Sequence, residues 1–151
     1  MIKIAIASDH VGVDYKKKII EHFQDKYNFL DCSLKNDPLD DYPDFAFKVS
    51  KLVSSKKADV GILICGTGIG MSIAANKVKG IRCAHLTRVE DATFAKIHND
   101  ANVIALASYI DIDTNIEIVK KYLETNEPLL EKHQRRVNKI IKYESGEYNE
   151  L

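Results

Sequence analysis

The stretch CGTGIG (65–70) contains residues whose types and spacing could do chemistry. A thiol beside the N-terminus of a helix is favoured as the thiolate, so Cys65 could act as a nucleophile or a general base. Glycines let the backbone N–H groups of such a turn approach a negatively charged oxygen closely. The hydroxyl of Thr67 could donate to a substrate oxygen, or it could cap the following helix. The stretch indicates either a thiolate on an anion-binding loop or a tight turn in which Cys65 is a buried apolar residue.

The glycine pattern differs from both common nucleotide-binding signatures. A phosphate-binding P-loop requires GxxxxGK followed by Ser or Thr, and these glycines are not followed by a Lys-Ser or Lys-Thr pair. The dinucleotide fingerprint is GxGxxG in the first strand-to-helix turn, whereas residues 66–70 have GxGxG after the third predicted strand. The glycines alone therefore indicate nucleotide binding only weakly.

Two further polar pairs lie at the ends of predicted elements. Asp9 and His10 follow the first strand, where an acid and an imidazole suit proton transfer or the recognition of hydroxyl and phosphate groups. Alternatively, Asp9 caps the next helix. His98 and Asn99 close the fourth helix, where a histidine also complements the helix dipole and Asn-Asp is typical of a turn.

The segment EKHQRRVNKI (131–140) is strongly cationic. It fits a solvated helix face, or a phosphate-binding site that uses the planar guanidinium of Arg. The remaining histidines, His22 and His85, are interpreted as surface or core residues.

Alternating strands and helices have to position these residues. Short apolar runs typical of buried parallel strands alternate with segments whose apolar residues recur at helical spacing. The predicted strands are 2–7, 27–33, 60–65, 80–86 and 101–107, and the predicted helices are 11–26, 45–55, 68–78, 89–99, 112–125 and 129–143. This order predicts an α/β, three-layer αβα, Rossmann-like fold, with a five-stranded parallel sheet, helices on both faces and an extra C-terminal helix.

Ligands of such sheets bind beyond the carboxyl ends of the strands. We therefore expect the site at three places: at Asp9 and His10 after the first strand, at Cys65 to Gly70 after the third strand, and in the polar segment at His98 just before the fifth strand.

Length, charge and cysteine usage exclude several classes of protein. The 151 residues predict a single domain over 1–151. Because 22 Lys and Arg balance 22 Asp and Glu, charge gives no reason to expect nucleic-acid or membrane binding. Three irregularly spaced cysteines argue against a disulfide framework or a zinc site and favour a reducing, cytoplasmic setting. No apolar run reaches about 18 residues and no cleavage signal follows the first strand, so neither a membrane span nor a signal peptide is expected.

Five segments together resemble one family, the B-type ribose-5-phosphate isomerases and the related galactose-6-phosphate isomerase subunits. The segments are IASDHVG (6–12), DYPDFA (41–46), GILICGTGIGMSIAANKVKGIR (61–82), HNDANV (98–103) and HQRRV (133–137). The resemblance covers nearly the whole chain and implies interconversion of D-ribose 5-phosphate and D-ribulose 5-phosphate. This reaction proceeds by ring opening and then proton transfer between C2 and C1 through a cis-enediolate. The resemblance also implies no metal, no organic cofactor, and a homodimer or homotetramer whose active site lies between subunits.

The resemblance assigns roles to residues of the glycine loop. Cys65 matches the family's general base at C2, and some members instead use a glutamate six residues further on, where this chain has Met71. Thr67 and the backbone N–H groups of the loop match the groups that hold the developing enediolate oxygen. The loop residues concerned are Gly66, Gly68, Ile69 and Gly70.

Residues outside the loop also match the family's site. His98 matches the acid/base that opens the furanose ring, with assistance from Asp9. Asn99 matches a ligand of a substrate hydroxyl, and His10 and Arg136 match phosphate ligands.

Two departures from the family concern phosphate binding. The family usually has Arg where this chain has Lys132, which keeps the charge but loses the bidentate geometry. It also usually has Arg after the fifth strand, where this chain has Tyr109, and Arg135 is the residue that could replace the lost cation. The alternatives are therefore an isomerase of a hexose 6-phosphate of the allose or galactose type, or a non-catalytic sugar-phosphate- or nucleotide-binding module. Because each galactose-type subunit lacks either the Cys or the His, the presence of both here favours the pentose phosphate.

Overall fold

Strands and helices alternate along the chain as predicted. The structure, a computed structural model, describes residues 1–149, so residues 150 and 151 of the predicted domain lie outside the described part. The elements are β1 (Lys3–Ser8), α1 (Val13–Phe23), β2 (Asn28–Asp31), α2 (Tyr42–Ser54), β3 (Val60–Cys65), α3 (Ile69–Ala75), β4 (Cys83–His85), α4 (Val89–Ile97), β5 (Val103–Ala107), α5 (Ile112–Glu124) and α6 (Glu131–Glu144). Helix α2 begins earlier than predicted, at Tyr42, because Pro43 is compatible with the first turn of a helix.

The strands form a parallel sheet in the order β2-β1-β3-β5-β4. The Rossmann-like α/β fold with an extra C-terminal helix is confirmed. From β1 the chain continues to β2 on one side, and it then returns to β3 on the other side of β1, so the direction of the strand order reverses between β1 and β3. The carboxyl ends on either side of such a reversal form a crevice, which is where open α/β sheets bind ligands. Ser8 and Ile64 are paired at this end, immediately before Asp9 and Cys65.

Two apolar clusters cover the two faces of the sheet. Because successive strand residues point to opposite faces, Ile62 and Ile64 of β3 belong to the cluster against α1, α4 and α5, whereas Leu63 and Cys65 belong to the cluster with residues of α2 and α3. Met71 of α3 is fully buried in the second cluster. Its side chain is therefore part of the core.

Helix α6 is only partly packed within the chain. Of its described residues, only His133 and Val137 are buried, whereas Ile140, Ile141 and Tyr143 are exposed. Within residues 1–149, no helix is long and apolar enough to cross a membrane.

Candidate active site

The sulfur of Cys65 lies inside the turn that joins β3 to α3. The side chain is only 5% exposed, and the backbone N–H of Gly68 donates a hydrogen bond to Sγ over 3.2 Å. The Thr67 hydroxyl oxygen accepts a hydrogen bond from the N–H of Ile69 at 3.2 Å, which closes the turn at the start of α3. One N–H of this turn is therefore directed at the sulfur atom, and a second is directed at the Thr67 hydroxyl.

Gly68 is required by both its conformation and its surroundings. Its φ angle is +77°, which residues with a Cβ rarely adopt. A Cβ at this position would lie 2.8 Å from the ring of His85, at the end of β4. Nε2 of His85 is also 2.7 Å from the carbonyl oxygen of Thr67. His85 thus contacts the glycine loop directly, although no sequence pattern indicated a chemical role for it.

Asp9 lies beside the end of β3. Its backbone N–H donates to the carbonyl oxygen of Ile64 at 3.2 Å, which places Asp9 next to Cys65 across the β1–β3 pair. Its Oδ1 accepts hydrogen bonds from the N–H groups of Val11 and Gly12 at 3.0 and 3.2 Å. Burial raises the pKa of this carboxyl more than these hydrogen bonds lower it. Asp9 is not the cap of α1, because the N-cap is Gly12 and no side chain caps this helix. The two hydrogen bonds instead close the turn before α1, and they fix the carboxyl group at the crevice.

His10 is held by a carboxylate that the sequence analysis did not single out. Its Nδ1 lies 2.7 Å from Oδ1 of Asp40, and its backbone N–H donates to the same oxygen at 3.1 Å. The hydrogen bond to Asp40 raises the pKa of His10. Burial alone would raise the pKa of Asp40, but hydrogen bonds from Asn36 and His10 lower it. The hydrogen bond to Asp40 thus favours the cationic form of His10, which suits a phosphate ligand.

His98 lies in a second group of residues. It caps the C-terminus of α4, and its ring stacks on His133 of α6 with centroids 4.1 Å apart. Phe94 stacks on its other side at 4.9 Å. Burial lowers the pKa of His133, and the nearby charges of His98, Lys132 and Arg136 lower it further. A neutral His133 can stack against His98 without charge repulsion, and the same contact places the cations of α6 beside His98.

Arg82 fixes the turn that follows His98. Its Nε donates to the carbonyl oxygens of Asn99 and Asp100 at 3.1 and 3.0 Å, and its guanidinium pairs with the Asp100 carboxylate at 3.3 Å. A cavity of about 690 Å³ lies here, between α6 and the start of β4, and Asn99 is among its lining residues. This cavity belongs to the second group and is not the crevice beside Cys65.

The two groups lie at opposite ends of the sheet. Asp9, His10 and Cys65 follow the carboxyl ends of their strands, whereas His98 and Asn99 precede β5 and lie at its amino end. The five residues of β5 separate these ends by roughly 16 Å. The expectation that the segment at His98 belongs to the carboxyl edge is therefore wrong. The strand that follows a helix begins at the edge where the helix ends, so a residue just before a parallel strand lies at the amino edge.

The cationic residues of α6 belong to the amino-edge group. Lys132, Arg135 and Arg136 are all exposed near the start of this helix. Tyr109 lies at the other edge, where its N–H donates to the carbonyl oxygen of Gly66 at 3.2 Å. Arg135 therefore does not replace a cation at the position of Tyr109 within one chain. Within residues 1–149, no cluster of three or more His, Cys, Asp or Glu side chains could hold a metal ion.

The fold is Rossmann-like, and a glycine loop holds a cysteine at the point where the strand order reverses. These features define a class of α/β protein with a thiol-based site. The chain belongs to the Ribose/Galactose Isomerase family, whose model matches residues 4–140. It is similar to the probable ribose-5-phosphate isomerase B of Mycoplasma genitalium, with 47% identity over 93% of this chain and 95% of the relative.

Solved structures of similar sequence also belong to ribose-5-phosphate isomerases of type B. The crystal structure of ribose-5-phosphate isomerase B from Mycoplasma genitalium with bound ribulose-5-phosphate has a TM-score of 0.91 and 45% identity, and the match covers 95% of this chain and 97% of that one. The enzyme of the same type from Clostridium thermocellum has a TM-score of 0.92 and 41% identity, over 96% and 99% of the two chains. The resemblance noted in the sequence is thus confirmed at the level of family and fold.

Proposed function

We propose that the protein is an aldose–ketose isomerase that interconverts D-ribose 5-phosphate and D-ribulose 5-phosphate. The observation that carries the proposal is Cys65, held by the Gly68 N–H in the crevice between β1 and β3. Membership of the isomerase family and the relative solved with ribulose-5-phosphate support the choice of sugar.

Proton transfer between carbons is assigned to Cys65. Its thiolate removes the proton from C2 of the open-chain aldose, the electron pair forms the C1–C2 double bond, and the negative charge moves to O1. The Thr67 hydroxyl and the loop N–H groups other than those of Gly68 and Ile69, which donate to Cys65 and Thr67, stabilise that oxygen. Donors of this kind contribute roughly 2.7–4 kcal/mol each. The thiol then returns the proton to C1. The proton of the C2 hydroxyl moves to O1, which leaves the ketone at C2 and a hydroxyl at C1.

Ring opening is assigned to His98. It removes the proton from the anomeric hydroxyl while a proton is delivered to the ring oxygen, so that the C1–O4 bond breaks and an aldehyde forms at C1. Asp9 assists, and the raised pKa of its carboxyl suits a group that exchanges protons. Asn99 binds a substrate hydroxyl. The stacking of His98 between Phe94 and His133 fixes its ring for this role.

Two copies of the chain are needed to build this site. Cys65 and His98 lie at opposite ends of one sheet, so a substrate that contacts Cys65 of one subunit contacts His98 of the partner subunit. Exposed apolar residues beside both groups fit such an interface: Ile69 and Ile73 on α3, and Ile140 and Ile141 on α6. We therefore place the single domain (residues 1–151) in a cytoplasmic homodimer, or a tetramer built from it, with a sugar phosphate as its substrate.

Phosphate binding is likewise divided between subunits. In this arrangement the subunit that supplies Cys65 also supplies His10 as a phosphate ligand. The other subunit supplies two further phosphate ligands, Lys132 and Arg136. Lys132 attracts the phosphate as a point charge, whereas the guanidinium of Arg136 can bind two phosphate oxygens at once.

Asp40→Asn should shift the pH range in which the substrate binds tightly. In the wild type, Asp40 raises the pKa of His10 above its ordinary value of 6.5, so the imidazolium persists to higher pH and is lost as pH rises through the raised pKa. In the variant the pKa of His10 falls, and KM for ribose 5-phosphate should begin to rise at lower pH. At pH 7.5 we expect KM to be about threefold or more above wild type, with a smaller change at pH 6.

Asp41→Asn is the matched control for this pH profile. Asp41 is the next carboxylate in the same loop, and its side chain makes no hydrogen bond to the N-terminus of α2. Its variant should keep the wild-type profile of KM against pH. Identical profiles for Asp40→Asn and the wild type would contradict the role of Asp40.

A comparison of three substrates tests the proposed function. Ribose 5-phosphate, allose 6-phosphate and unphosphorylated ribose are offered to the purified protein, and formation of the ketose is measured. The proposal predicts the highest kcat/KM for ribose 5-phosphate. A preference for allose 6-phosphate would establish the hexose-phosphate alternative, and binding of all sugar phosphates without turnover would establish a non-catalytic binding module.

A further inference from the structure

The peptide unit between Thr67 and Gly68 is hydrogen-bonded at both ends. Its carbonyl oxygen lies 2.7 Å from Nε2 of His85, and its N–H donates to the sulfur of Cys65 at 3.2 Å. A trans peptide is planar, and its C=O and N–H point in opposite directions. A side chain that holds the carbonyl therefore also sets the direction of the N–H.

His85 reaches this peptide from a different element. It is the last residue of β4, the edge strand of the sheet, whereas Cys65 ends β3 and β5 lies between them. Its imidazole is in contact with the backbone of Gly68, where even a Cβ would be too close. Since a carbonyl oxygen only accepts hydrogen bonds, Nε2 must carry the proton and act as the donor.

We propose that His85 is a positioning residue that keeps the N–H of Gly68 directed at the Cys65 sulfur and so stabilises the thiolate. The inference rests on the proposed function, in which Cys65 is the base. A hydrogen bond to the carbonyl oxygen polarises the amide and makes its N–H a stronger donor. A donor to a thiolate forms a charge-assisted hydrogen bond, which stabilises the anion more than the neutral thiol. His85 thus acts on the sulfur through the peptide, without touching substrate.

Two variants of His85 separate positioning from packing. His85→Leu keeps an apolar side chain against Gly68 but has no donor, whereas His85→Gln offers an N–H at about the distance of Nε2. His22→Leu is the control, because His22 is also exposed and lies on α1, away from the glycine loop. Asp9, His10 and Asp40, which also titrate at this edge, are unchanged in all three variants.

The readout is the rate at which iodoacetamide alkylates Cys65, followed against pH on the assembled protein, with the modified cysteine identified by peptide mass spectrometry. Burial raises the pKa of Cys32, and raises the pKa of Cys83 to about 12, so these thiols react slowly near neutral pH. His85→Leu should move the profile to higher pH and lower the rate at pH 7 about tenfold. His85→Gln should retain most of the wild-type rate, and His22→Leu all of it.

Steady-state kinetics supply the second readout. His85→Leu should lower kcat for isomerisation about tenfold with little change in KM, and His85→Gln should recover most of that loss. A wild-type alkylation profile in His85→Leu, or equal losses in the Leu and Gln variants, would overturn the inference. Alkylation requires no sugar, so the alkylation experiment decides the role of His85 whether or not the protein isomerises ribose 5-phosphate. A wild type that does not isomerise ribose 5-phosphate would refute the proposed function, not the role of His85.

Discussion

Replacing Cys65 with alanine is expected to stop exchange of the C2 proton of ribose 5-phosphate with solvent, while the protein stays folded. Cys65 is the residue proposed to remove this proton, and Met71, which stands where some family members have a glutamate base, is buried in the core and has no basic group. General base catalysis contributes roughly 10²–10⁴-fold, so kcat should fall by at least that range. Proton exchange by NMR in ²H₂O and a thermal melt measure the two effects.

Cys32→Ala is the matched control for this variant. Cys32 is a buried thiol in the same apolar cluster, so its removal costs a similar amount of packing without removing a catalytic group. We expect each variant to lose about 1 kcal/mol of stability, and only Cys65→Ala to lose activity. Full activity in Cys65→Ala, or an equal loss in both variants, would refute the role of Cys65 as the base.

Replacing His98 with asparagine should slow the reaction of cyclic ribose 5-phosphate far more than that of an open-chain analogue. Asparagine cannot exchange the proton of the anomeric hydroxyl, so the furanose ring opens slowly, whereas an analogue without the C4 hydroxyl needs no ring opening. We expect kcat/KM to fall roughly 10²-fold or more for the cyclic sugar and only a few-fold for the 4-deoxy analogue.

His22→Asn is the control for the loss of an imidazole. It should change neither rate, since His22 lies in the last turn of α1, where its ring packs against Phe23. If His98→Asn slows the cyclic and open substrates equally, the ring-opening role of His98 is wrong, although a role in binding would still fit that result.

The fold could be predicted because its elements are marked by local patterns. The continuous apolar run of β3 is typical of a central parallel strand, and all six of its residues are buried. The start of one helix differs from the prediction. The sequence predicts that the second helix begins at residue 45, whereas α2 begins at Tyr42, because Pro43 fits its first turn. The strand order β2-β1-β3-β5-β4 was not predicted, because it depends on packing between distant segments.

The sequence indicated candidate residues of the site, but not how they are arranged. Motif similarity indicated both Cys65 and His98, yet only the topology of the sheet places them at opposite edges. Asp40 and His85 carry no sequence signal of their own, because each acts through a partner that the fold brings close. Asp40 lies 30 residues from His10, and His85 lies 18 residues from Thr67. A search of every polar residue near the end of a strand would include His85, whereas Asp40 lies in the loop well beyond the end of β2.

Subunit complementation tests the central claim, that one active site contains Cys65 of one chain and His98 of another. The inactive variants Cys65→Ala and His98→Asn are mixed in equal amounts, dissociated under mild denaturing conditions and reassociated. In a symmetric dimer, half of the molecules should be mixed, and each mixed dimer has one site with both residues intact, so about one quarter of the wild-type activity should return. If the mixture stays as inactive as its two components while mixed dimers are shown to form, the site does not combine these residues from two subunits.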